Sequence, residues 1–119
     1  MSPTRDFTFV TDTVKGFVKA AEADAAIGQE INLGTGKEIS IGELARKIAG
    51  LAAFDVVVRH TNERTRPDKS EVRRLLSNNR KAKELLGWEP RTTLDQGLAA
   101  TMEWVKAKLE MYDPDTYRI

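Results

Sequence analysis

The sequence predicts an α/β fold: a small three-strand, partly parallel sheet with about four helices. Three observations lead there. Short β-prone runs occur at residues 7–10, 30–33 and 56–58. Between and after them, apolar residues recur at the three-and-four spacing of amphipathic helices. The elements then follow the order β-α-β-α-β-α-α, and strands joined through a helix can pair in parallel.

Phe7, Phe9 and Val10, interleaved with Thr8 and Thr11, read as the first strand. Val10, Val14, Phe17, Val18 and Ala21 fall at helical spacing, predicting a helix over 13–26 with Thr11 or Asp12 as its N-cap and a stop near Gly28. Residues 30–33 form the second expected strand, ended by Gly34-Thr35-Gly36. Ser40-Ile41-Gly42-Glu43 is a capping box, and Ile41, Leu44, Ala45, Ile48 and Leu51 continue it as one apolar stripe. Val56-Val57-Val58 is β-branched throughout, which predicts a strand buried on both faces.

Residues 61–76 have no clear period and are dense in charge, the mark of a functional or mobile loop. Ser77 or Asn78 then caps a short helix bearing Ala82, Leu85 and Leu86, with Gly87 as its C′ residue and Pro90 barring continuation. A second capping box at Thr93 and Gln96 opens a last helix marked by Leu94, Leu98, Met102, Val105 and Leu109. Asp113-Pro114-Asp115 ends it.

A length of 119 residues bounds the chain to one domain, too small to add a full cofactor domain of ~100–200 residues. Nineteen basic against eighteen acidic residues leave a formal charge of +1, which argues against nucleic acid or a membrane surface as partner. With no cysteine there are neither disulfides nor thiolate metal sites, and one histidine makes a His pair unavailable. No apolar leader follows Met1 and no run approaches ~18 apolar residues, so the expected compartment is the cytoplasm.

Gly34-Thr35-Gly36-Lys37 imitates a phosphate loop but lacks its pattern. A Walker loop needs glycine at 31 and Ser or Thr at 38, where Ile31 and Glu38 stand, and a dinucleotide fingerprint needs glycine in place of Ile39. The expected role is a tight turn with positive φ. The basic stretch from Arg59 to Arg74 is a better anion candidate, because arginine's planar fork suits a diphosphate. The competing reading is a solvated loop of mixed salt bridges. His60 has no catalytic partner near it in sequence, and Trp88 and Trp104 read as core or interface anchors.

Four blocks in order resemble one family. They are Arg5-Asp6-Phe7-Thr8-Phe9-Val10-Thr11-Asp12; Ile31-Asn32-Leu33-Gly34-Thr35-Gly36 with Ile39-Ser40-Ile41; Arg66-Pro67 and Glu71-Val72 with Lys81-Ala82 through Gly87-Trp88-Glu89-Pro90; and Leu94 through Trp104. Together they are similar to the C-terminal, substrate-binding portion of extended short-chain dehydrogenase/reductases, the NAD-dependent nucleotide-sugar epimerases and dehydratases. The resemblance implies that Arg5 and Arg66 contact the substrate diphosphate. Glu71 corresponds to a glutamate that faces the nucleotide ribose in GDP-mannose 4,6-dehydratase-like members. This chain carries Asp68-Lys69-Ser70 between Arg66-Pro67 and Glu71, more than those relatives have.

The family binds NAD(P) in a glycine-rich Rossmann domain and handles the proton with a Tyr-x-x-x-Lys pair. Neither pattern occurs in these 119 residues. The expectation is therefore a truncated or stand-alone substrate-binding region that binds no cofactor and is not catalytic alone. It would bind a nucleotide-diphosphate-sugar weakly. The partners expected are a second copy, as homodimer or other homo-oligomer, or a Rossmann-bearing subunit that covers apolar surface left open. The alternative is a self-assembling interaction module with no ligand.

Overall fold

The computed structural model describes residues 3–53 and 72–111. Its elements are β1 (Thr4–Arg5), α1 (Val10–Glu22), a 3₁₀ turn (Asp24–Ala26), β2 (Ile39–Ser40), α2 (Ile41–Ala52), β3 (Arg74–Leu75), α3 (Arg80–Leu86), α4 (Leu94–Lys106) and a last 3₁₀ turn (Leu109–Met111). The three strands form one mixed sheet in the order β2-β1-β3, with β1 antiparallel to β2 and parallel to β3. Four helices and a small, partly parallel sheet are what the sequence predicts. The strands among the described residues do not coincide with the expected runs at 7–10 and 30–33.

Phe7-Thr8-Phe9 has strand-like alternation, yet β1 ends two residues earlier and α1 starts at Val10. Phe9 is still extended, at φ −69° and ψ 143°, but its ring packs against Gly97 of α4 and takes the space a side chain there would fill. Phe9 fills a gap between elements instead of joining a ladder, and Phe7 is exposed. Residues 30–33 are likewise unpaired. Ile31 and Leu33 pack inward on the core, so the alternation records burial without hydrogen-bonded pairing. The expected strand at 56–58 lies outside the described residues. Within the expected 61–76 loop, Arg74–Leu75 is β3.

Both capping boxes form. Ser40 accepts from the Glu43 amide and Thr93 from the Gln96 amide, and each partner side chain accepts from its cap in return. Gly87 closes α3 at φ +57°, as a C′ glycine should. The first and third helices start differently from expectation. α1 begins after Phe9 with no side-chain cap, and Asp12 inside its first turn is used for another bond. α3 begins after Asn79, while Asn78 Oδ1 accepts the Arg80 amide at 3.1 Å. α4 stops at Lys106, short of the expected Leu109, which is exposed and adds no burial to extend it.

The buried apolar core among the described residues is Ala82, Leu86 and Trp88, ringed by half-buried Ala20, Ala23, Ala26, Ile31, Leu33 and Leu85. It sits where α1, the first 3₁₀ turn and α3 meet. α1 turns its small and polar face inward: Gly16 lies against Leu33 with no room for a Cβ, and Asp12 is buried. Its expected apolar stripe faces outward. Val10, Val14, Phe17 and Val18 are 62, 55, 70 and 51% exposed.

Candidate functional site

The predicted site begins at Arg5, on the central strand. Thr4 and Arg5 pair with Ser40 and Ile39 on one side and with Arg74 and Leu75 on the other. The Thr4 amide donates to the Arg73 carbonyl at 2.9 Å and the Asp6 amide to the Leu75 carbonyl at 3.0 Å. Arg5 is half-buried, and its Nη1 donates to the Thr4 carbonyl at 2.8 Å. Arg66 and Glu71, its expected companions, lie outside the described residues. β3 nevertheless starts three positions after Glu71, so the ladder brings the chain following Glu71 beside Arg5.

Asp6, which no motif singled out, organises this region. Its Oδ1 accepts from the Thr35 amide at 3.0 Å and from the Thr35 hydroxyl. Its Oδ2 accepts from the Gly36 amide at 2.9 Å and the Ser77 amide at 3.3 Å. Gly36 has φ +69°, as expected for the turn. The Thr35 and Gly36 amides of this turn are held by the Asp6 carboxylate. Arg74, at the end of the basic stretch, pairs with Glu38 at 2.8 Å, and Thr4 donates to the same carboxylate at 2.8 Å. The Arg74 and Thr4 hydrogen bonds hold the Glu38 pKa below its ordinary value.

A cleft of about 600 Å³ lies beside the sheet, between the 35–39 turn, the first turns of α2 and the 90–95 segment. Phe7, Ile39, Pro90 and Leu94 give it apolar walls, and Lys47 pairs with Asp95 across it at 2.6 Å. The 90–95 segment is fixed by Asp12, 1% exposed, whose Oδ2 accepts from the Arg91 and Thr92 amides at 3.0 and 2.7 Å. Trp88 Nε1 donates to the Asp12 carbonyl at 2.8 Å. Burial pushes the Asp12 carboxyl up, but the Thr92 and Arg91 hydrogen bonds and the Lys15 charge outweigh it and hold it below its ordinary pKa.

The family model for GDP-mannose 4,6-dehydratase matches residues 1–101. The chain belongs to that family. Members similar to it include the UDP-glucose 4-epimerase of Mycolicibacterium smegmatis, 41% identical over 90% of this chain and 33% of that enzyme. The structure of the epimerase Mth375 from Methanothermobacter thermautotrophicus superposes with a TM-score of 0.80 at 38% identity, covering 92% of this chain and 32% of that one. The Thermotoga maritima UDP-glucose 4-epimerase, solved with UDP-glucose, gives 0.77 at 30% identity over 91% and 33%. The chain thus spans about a third of the length of these relatives. The segment is part of an NAD-dependent sugar epimerase and dehydratase family, as the four sequence blocks imply. No helix among the described residues is long and apolar enough to cross a membrane.

Proposed function

We propose that this chain forms the substrate-side wall of a nucleotide-sugar site in a GDP-mannose 4,6-dehydratase family protein. The observation that supports this best is the parallel pairing of β1 with β3, which puts Arg5 level with the strand that follows Glu71. In this reading Arg5 and Arg66 donate forked hydrogen bonds to the diphosphate. Glu71 accepts both hydroxyls of the ribose diol. A charge-assisted contact of this kind contributes roughly 1.5–3 kcal/mol, so losing either arginine weakens binding about tenfold or more.

Hydride chemistry lies outside this wall. NAD(P) would supply it, and the amides of this chain's glycine turn are taken by Asp6. The chain alone therefore binds its nucleotide-diphosphate-sugar weakly and turns none over. A Rossmann-bearing partner, acting in the cytoplasm, completes the site. Following amide resonances while a UDP- or GDP-sugar is added tests the wall. Shifts should concentrate at Thr4, Arg5 and Asp6 and along β3. Shifts confined to α4 would contradict it.

The exposed α1 stripe favours a second reading. Val10, Val14, Phe17 and Val18 form a continuous apolar face, larger than a lone surface residue explains. Under that reading the chain assembles with itself through α1 and has no ligand.

A further inference from the structure

We propose that Asp6 is a positioning residue that sets the register of Arg5 between its two neighbouring strands. The proposal rests on the nucleotide-sugar reading of Arg5 and deepens it. Each strand has only two residues, and ladders that short specify register weakly. Something beyond the ladder must hold β1 in place.

Asp6 is the first residue past β1, and its carboxylate reaches both sides. On one side it takes the Thr35 and Gly36 amides and the Thr35 hydroxyl, in the turn that leads into β2. On the other it takes the Ser77 amide, just past β3. One side chain thus ties the central strand to segments that continue both of its neighbours. The two segments also touch one another: Gly34 lies against Ser77 with no room for a Cβ, and Asn79 Nδ2 donates to the Gly34 carbonyl at 2.8 Å. A one-residue slip of β1 would turn Arg5 to the opposite face and separate Asp6 from all of these donors.

The test combines Asp6→Asn, Arg5→Ala and the double variant, titrated with GDP- and UDP-sugars beside amide exchange on each protein. Asparagine keeps the size but replaces one acceptor oxygen with a donor. Asp6→Asn should weaken nucleotide-sugar binding at least tenfold, and in the Arg5→Ala background it should add less than twofold. It should also speed exchange of the Thr4 and Asp6 amides at least tenfold while the Gly97 amide of α4 is unchanged. Thr35→Val, which removes the hydroxyl that donates to Asp6 and accepts from the Lys37 amide while leaving the Thr35 and Gly36 amides in place, should give the same pattern at about threefold and covers the case in which Asp6→Asn does not fold. Additive losses in the double variant, unchanged Thr4 exchange, or an equal rise across α4 would each overturn the proposal. If the unmodified chain binds no nucleotide-sugar, the reading of Arg5 fails on its own, and the exchange pattern still decides whether Asp6 sets the register.

Discussion

Two buried or half-buried carboxylates at the ends of the β1–α1 segment hold distant parts of the chain. Asp6 gathers residues 35, 36 and 77, and Asp12 gathers 91 and 92 while its helix carbonyl takes the Trp88 indole. Asp12 carries the clearer stability consequence. Removing its carboxylate leaves two inward amides without a partner, a loss of roughly 1–3 kcal/mol. Asp12→Ala should accordingly lower the urea midpoint with the m-value unchanged. Because the folded pKa of Asp12 lies below its ordinary 3.8, the folded state binds this proton less readily than the unfolded one. Its contribution is full above that ordinary value and is lost as pH falls through the folded pKa. Urea melts from pH 6 to pH 2 should show this acid-side loss, and Asp12→Asn should flatten it. At the same scale, Gly34→Ala forces a methyl into Ser77 and should cost about 1–3 kcal/mol in the same assay.

Legibility in the sequence divides by element according to how local the cause is. The α2 and α4 starts are written in four residues each, because a capping box satisfies its own amides without help from the rest of the chain. Ser40→Ala should cost about 1 kcal/mol, read as a loss of thermal midpoint. The α3 end is equally local, in the positive φ of Gly87. The strands are not local. β-like alternation at 7–9 and 30–33 puts Phe9, Ile31 and Leu33 into packing contacts, whereas the ladder among the described residues uses Thr4, Arg5, Ile39, Ser40, Arg74 and Leu75, a set with no shared pattern. The stripe of α1 was legible as a stripe, but its direction was not, since periodicity does not say whether a face meets this chain or another surface. Arg5 was named by its family block, and the structure places it on the central strand. Asp6 stood beside it in that block, directly before Phe7, and nothing local in the sequence marks the amides it gathers.

At the scale of the whole molecule, the described residues enclose a core of three buried apolar side chains and leave an apolar helix face open. A face of that kind marks a surface on which another molecule or domain docks. If a second copy does so, sedimentation should show a concentration-dependent dimer at micromolar protein, and Phe17→Lys should return it to monomer with its helix content intact. A monomer throughout would favour a Rossmann-type domain as the covering surface. The relatives are about three times as long as this chain.

The most direct test of the nucleotide-sugar wall is isothermal titration of the chain with GDP-, UDP-, dTDP- and CDP-sugars at low salt. The account predicts saturable binding of one nucleotide class, weakened about tenfold or more by Arg5→Ala and by Arg66→Ala. No heat with any of the four up to millimolar ligand would contradict it, leaving α1 as the working surface of the chain.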